Sequence, residues 1–168
     1  MSFEKALEFV LKWEGGYTLH RNPTEPYYTF AGIYQGAYPN WEGWKLLKED
    51  NMEKTKELVK DFYLINFWKP LKCDHLPPKV ATALFDTAVN IGRKRAVKGL
   101  QRTLKVLPDG IIGKVTISAI RQRNENKLTR EYLKRRIVYY ARLSCERFNI
   151  YKRGWINRVF DLMEFLEV

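Results

Sequence analysis

Apolar residues recur at intervals of three and four over most of this chain, and where that period breaks the composition changes with it. Phe3, Leu7, Val10 and Leu11, flanked by Phe9 and Trp13, predict a helix over residues 2–14. Ser2 supplies a cap, Glu4 an acid in the first turn, and Gly15-Gly16 a stop. From Tyr17 to Trp44 aliphatic residues give way to Gly, Pro, Asn and Tyr. Asn22-Pro23 and Glu25-Pro26 read as turns there, and residues 27–34, YYTFAGIY, as a short extended piece or hairpin.

The helical period returns over 49–65 through Met52, Thr55, Val59, Phe62 and Tyr63, with Phe67-Trp68 following and a stop at Pro70. Lys79–Ile91 is the most apolar stretch: Val80, Ala81, Leu84, Phe85, Ala88 and Val89 predict a buried helix whose small residues permit close packing. Gly92 ends it. A basic helix over 94–106 carries Ala96, Val97, Leu100, Gln101 and Leu104, and the turn Pro108-Asp109-Gly110 leads to a helix over Val115–Arg121. A long charged helix is expected from about Thr129 to Arg147 and a last one over about Trp155–Glu167. The pattern predicts a mainly α, single-domain chain (1–168) with a small polar β-hairpin lobe between the first two helices.

Composition narrows the class. In 168 residues, 45% hydrophobic and 29% charged, seven prolines are too few and the aromatics too many for a disordered tail. No apolar run approaches the length of a membrane span, and Glu4, Lys5, Glu8 and Lys12 interrupt any signal-peptide core. No integral membrane association is therefore expected. Thirty Lys and Arg against nineteen Asp and Glu leave a net charge of +11, which favours a polyanionic partner: nucleic acid, an anionic membrane surface or an acidic wall polymer. Zinc-finger spacing and RNP-like strands are missing, which weighs against nucleic acid. Cys73 and Cys145 form no CxxC, so two buried reduced thiols are expected rather than a closed metal site.

The most informative residue is Glu14, at a helix end beside Trp13 and Tyr17 and directly before two glycines. Aromatic neighbours and the negative end of a helix dipole favour the protonated form of a carboxylic acid, as a general acid for glycoside cleavage requires. The plainer alternative is a surface charge at a helix end with Gly15 as its C-cap. Glu25 and Thr29, eleven and fifteen positions on, would lie opposite Glu14 if the lobe folds back as a hairpin, as a second carboxylate and a water-orienting hydroxyl. Each is otherwise an ordinary turn residue. Tyr27, Tyr28, Phe30, Tyr34, Tyr38, Trp41 and Trp44 crowd one stretch, so about half should pack inward and the rest line a sugar-binding groove. Tyr17, Tyr28, Phe30 and Tyr34 are the rings expected to meet substrate.

In order along the chain come Trp13-Glu14-Gly15-Gly16-Tyr17, Asn22-Pro23, Glu25-Pro26, Thr29, Gly32-Ile33 and Phe67-Trp68. Phe85-Asp86-x-x-Val89-Asn90-x-Gly92 follows, then Leu100-Gln101-x-x-Leu104, then Asp109-Gly110-x-Ile112-Gly113-x-x-Thr116, and finally Phe148 with Gly154-Trp155-x-Asn157-Arg158. This succession resembles glycoside hydrolase family 108, the lysozyme-like N-acetylmuramidases of phage endolysins and of bacterial proteins once called secretion activators. The resemblance implies a lysozyme-like helical fold, hydrolysis of the β-1,4 bond between N-acetylmuramic acid and N-acetylglucosamine, and Glu14 as the catalytic glutamate of the family's EGGY motif. It further implies that residues 1–92 form the catalytic part and 93–168 a peptidoglycan-binding-like helical part, with peptidoglycan glycan strands as partner. No metal or organic cofactor is implied, and a monomer is expected. An endolysin of this kind would accumulate in the cytoplasm and act on peptidoglycan after release.

Two departures from the family pattern stand out. Where the family commonly has Asp-Pro and then Asp-Pro-Gly-Gly before the threonine, this chain reads Asn22-Pro23-Thr24-Glu25-Pro26-Tyr27-Tyr28-Thr29, so rings replace two glycines and Glu25 is the nearest carboxylate. The groove should be reshaped, and a catalytically inert wall-binding or phage structural protein on the same fold is the alternative. Asp86 is expected to cap or bridge buried backbone rather than act on substrate, and Asn90, one turn on, to share that role or bind an acetamido group. The acid-free basic run Arg93, Lys94, Arg95, Lys98, Arg102 and Lys105 would meet an anionic wall polymer or simply face solvent.

Overall fold

The computed structural model describes residues 2–23, 25–143 and 146–168. Thr24, Cys145 and the Phe148 side chain lie outside the described residues. Among the described residues the chain is mainly helical, with eight α-helices and one three-stranded antiparallel sheet. It forms two compact units, Phe3–Asn66 and Phe67–Val168. No helix among the described residues is long and apolar enough to cross a membrane.

In the N-terminal unit, α1 (Phe3–Trp13) buries Phe3, Ala6, Leu7, Phe9, Val10 and Leu11. The strands β1 (Leu19–His20), β2 (Thr29–Phe30) and β3 (Ile33–Tyr34) follow, paired in sequence order. The short helix α2 (Gly43–Lys48), which hydrophobic periodicity does not reveal, precedes α3 (Met52–Tyr63). Asn51 caps α3 by accepting from the Lys54 N–H. A π-helical turn over Leu64–Trp68 continues the chain, and Asn66 Nδ2 donates to Phe62 O at 2.9 Å.

In the C-terminal unit, α4 (Pro78–Ile91) is buried at every position from Val80 to Ala88 and packs on α5 (Arg93–Leu104) and α7 (Glu125–Ala141). Between those two lies α6 (Lys114–Arg121). α7 starts four residues earlier than periodicity indicates, because the Asn124 side chain accepts from the Lys127 N–H and sets the first turn. It ends at Ala141, and α8 (Glu146–Phe165) is longer than the apolar pattern implies. Cys73 is buried, which pushes its thiol pKa up.

Buried Gln101 organises the turn after α5. Its Nε2 donates to Asp109 Oδ1 at 2.6 Å and to Ile111 O at 3.0 Å, while its Oε1 accepts from the Gly110 N–H at 2.8 Å. The Asp109 carboxylate also accepts from the Ile111 N–H at 2.8 Å. These bonds explain why Leu100-Gln101 and Asp109-Gly110 occur together, and they hold the Asp109 carboxyl below its usual range.

Candidate active site

The end of α1 is built to reverse the chain. The Gly16 N–H reaches back to Leu11 O at 2.8 Å, and Gly15 and Gly16 both adopt positive φ, the pattern of a left-handed C-cap. Glu14 is thereby the last residue before the reversal, its own N–H bonded to Val10 O at 3.0 Å and its side chain half-buried.

The sheet brings a second element to this point. Phe30 pairs with Ile33, so Ala31 and Gly32 form a two-residue hairpin turn, with φ of 49° and 77°. Positive φ at both positions is the type I′ geometry that suits the twist of a hairpin. Ala31 is held in this uncommon conformation by the Tyr63 hydroxyl, which donates to its carbonyl at 2.8 Å. The turn presses on Glu14: a Cβ added at Gly32 would lie 2.9 Å from both Cβ and Cγ of Glu14 and 2.5 Å from the Tyr63 oxygen. Only glycine permits that approach, so the stem of the Glu14 side chain is fixed by the helix end and by the hairpin tip together.

Register then separates the two faces of the sheet. His20, Thr29 and Tyr34 are successive cross-strand partners and share one face, whereas Leu19, Phe30 and Ile33 share the other. Phe30 and Ile33 are core residues, so Thr29 projects from the face away from that core, half-buried. His20, which sequence reasoning did not single out, has its ring 3.7 Å from where a Cβ on Gly15 would stand, next to the Glu14 turn. No motif or spacing marks it. Glu25 lies in the loop joining β1 and β2, where its carboxylate accepts from Asn22 Nδ2 at 2.9 Å and its N–H bonds to Asn22 O. That pairing makes Glu25 a lock on the loop's turn.

The aromatic stretch divides between support and surface. Phe30, expected in the groove, is 1% exposed and stacks on Trp41 at 6.4 Å, so it supports the lobe from inside. Trp41 meets Trp44 edge-on at 5.1 Å and covers Gly43, leaving no room there for a side chain. Trp44 Nε1 donates to Tyr38 O at 2.8 Å, and the Tyr38 ring packs on Phe62 at 4.7 Å. Tyr28 is 48% exposed with the Arg21 guanidinium 5.9 Å from its ring, and Tyr27 meets half-buried Tyr34 edge-on. Tyr17 lines a cavity of about 450 Å³ beside α1 and α3, with the Lys56 ammonium 5.5 Å from its ring. Burial raises the Tyr17 hydroxyl pKa. The buried indole N–H of Trp13 has no hydrogen-bond partner among the described residues.

Asp86 and Asn90 belong to the C-terminal unit. Asp86 is fully buried, its Oδ2 accepting from Arg136 Nη1 at 2.5 Å and its Oδ1 from Arg158 Nε and Nη2 at 2.9 and 2.7 Å. Burial alone would raise its pKa, but the two guanidiniums override that and hold the carboxyl below its usual range. It is the centre of an ion triad that joins α4, α7 and α8. Asn90 Oδ1 accepts from the Tyr140 hydroxyl, which in turn accepts from Arg136 Nε at 2.7 Å.

Residues 7–92 match the family model described as glycosyl hydrolase 108, and residues 95–160 match one described as a predicted peptidoglycan domain. The chain is also similar to a solved structure described as Brucella abortus SagA, with 32% sequence identity and a TM-score of 0.80 over 98% of this chain and 92% of that one. No curated protein matches it.

Proposed function

The chain belongs to the glycosyl hydrolase 108 family, and from that membership we propose that it is an N-acetylmuramidase in which Glu14 is the general acid. The peptidoglycan-domain match over 95–160 extends the same polymer to the C-terminal unit as its partner. The observation that carries the reading is the packing of the Ala31-Gly32 turn on the Glu14 side chain, because a general acid must be held in place before substrate arrives.

In this mechanism Glu14 gives its proton to the glycosidic oxygen as the bond to the muramyl anomeric carbon breaks and positive charge develops on that ring. A water oriented by the Thr29 hydroxyl attacks the anomeric carbon, and Glu25 accepts the proton that the water loses. Tyr28 and Tyr34 stack on the sugars from the exposed side of the lobe, with Phe30 holding the strand that carries Thr29.

Mass spectrometry of fragments released from purified peptidoglycan by wild type and Glu14→Gln, in parallel, tests the proposal. Reducing-end N-acetylmuramic acid from wild type alone is the expected result. Intact glycan in both, with protein sedimenting on the wall, would instead identify an inert binder.

A further inference from the structure

In the C-terminal unit a cavity of about 430 Å³ opens beside α5 and α7, within the size range of ligand pockets. Arg95, Lys98, Arg102, Arg135, Arg136 and Arg142 line it, and among the described residues no acidic side chain does. Its other walls include Ile91, Ala96, Gly99 and Val138, with buried Tyr132 donating its hydroxyl to Ala96 O at 3.0 Å. Among these cations and the described residues, Arg136 alone makes a contact ion pair, with the buried Asp86, while the charge of Lys98 also acts on the Asp109 carboxylate. Arg136 is itself 2% exposed, and its Nη2 has no hydrogen-bond partner among the described residues. Six like charges around an apolar surface repel one another, and an anion would relieve that repulsion.

We propose that this cavity binds the acidic stem peptide of peptidoglycan. The inference rests on the reading that the chain acts on peptidoglycan, and it is independent of the role given to Glu14. Five of the six cations are arginines, whose planar fork matches a carboxylate through two parallel hydrogen bonds. The apolar part of the wall decides between anions: a stem peptide presents alanine methyl groups between its carboxylates, whereas a phosphodiester polymer offers no such complement to Ile91, Ala96 and Val138. The cavity lies within the stretch that matches the peptidoglycan domain, apart from Thr87 and Ile91.

The test titrates the full chain with a soluble disaccharide tetrapeptide by calorimetry, beside the same compound with its carboxylates amidated. Arg95 and Arg102 are exposed, so the double variant R95A/R102A should keep the fold, which circular dichroism checks. Binding by wild type, and weakening by at least about tenfold on amidation and again in the double variant, is expected. Arg121→Ala, outside the cavity, should bind as wild type does. The inference is overturned if wild type does not bind the muropeptide, if amidation or R95A/R102A leaves affinity unchanged, or if a polyglycerol phosphate binds in its place with the same arginine dependence. Hydrolysis of peptide-stripped glycan by wild type separates the two readings: cleavage without muropeptide binding removes only this inference, and binding without cleavage removes only the catalytic one.

Discussion

The hydroxyl of Tyr63, on the last turn of α3, donates to the carbonyl of Ala31 at 2.8 Å and so fixes the hairpin tip that rests on Glu14. A left-handed alanine is strained by about 1 kcal/mol or more, and the bond from Tyr63 offsets that cost. Tyr63→Phe removes the bond and leaves a buried carbonyl unpaired. Thermal denaturation should report a loss of about 1–2 kcal/mol, and wall hydrolysis should fall further than the stability change explains, because the turn no longer holds the general acid.

Gly32→Ala should be more damaging. The added Cβ would stand 2.9 Å from Glu14 Cβ and Cγ and 2.5 Å from the Tyr63 oxygen, at a φ of +77° that disfavours any side chain. A destabilisation of about 2–4 kcal/mol is expected. In the double variant with Tyr63→Phe the two effects should sum to less than their separate values, since deleting the hydroxyl removes one of the clashes. Strict additivity in denaturant melts would show that the turn does not approach Tyr63 as described.

The ion triad of the C-terminal unit gives a pH dependence with a fixed sign. Folding lowers the Asp86 pKa, so near and below the ordinary carboxylate range, about pH 4, the unfolded chain binds a proton that the folded chain does not. The triad's contribution is therefore complete above that range and is lost as pH falls through the folded-state pKa. Asp86→Asn removes the buried carboxylate that Arg136 and Arg158 share and should cost about 3–5 kcal/mol at neutral pH. Its stability should also vary less with pH in the acid range than that of wild type, which urea melts across pH 3–6 would measure.

What the sequence disclosed follows from the length of each signal. The fourteen residues of α4 repeat their apolar spacing several times, and the glycine stop after α1 is purely local, so both are legible without coordinates. α2 is six residues long and shows no such repeat, and the start of α7 depends on one Asn124 side chain, so periodicity passes over both. The strands of the lobe are two residues each, too short for alternation to separate inside from outside. Phe30 and Thr29 are neighbours in sequence, and only the pairing with Ile33 and Tyr34 assigns one to the core and the other to the opposite face. The same register brings His20 level with Thr29, a relationship that no spacing in the chain expresses.

That division yields a contrast between two rings. Phe30→Ala empties a core site and should lower stability by about 3–5 kcal/mol, with activity lost in proportion to the folded fraction. Tyr28→Ala removes an exposed ring and should leave the melting temperature nearly unchanged while raising KM for glycan by about tenfold. If Tyr28→Ala has wild-type KM, the ring is not part of the glycan site.

Gln101 tests whether the peptidoglycan-domain motif is architectural. Its amide satisfies Asp109, the Gly110 N–H and the Ile111 carbonyl together and lies 3.2 Å from the Thr116 hydroxyl. Gln101→Met keeps the volume and removes every one of these bonds, leaving polar groups of the turn unpaired at a cost of about 2–4 kcal/mol. The Asp109 carboxyl would lose the amide donor that helps to hold its pKa down, while keeping the Ile111 N–H that contributes most. Carboxyl-detected NMR titration of the variant should therefore find Asp109 moved upward but still below an ordinary aspartate. An unchanged Asp109 titration in a stably folded Gln101→Met protein would show that the turn is held by its own backbone rather than by α5.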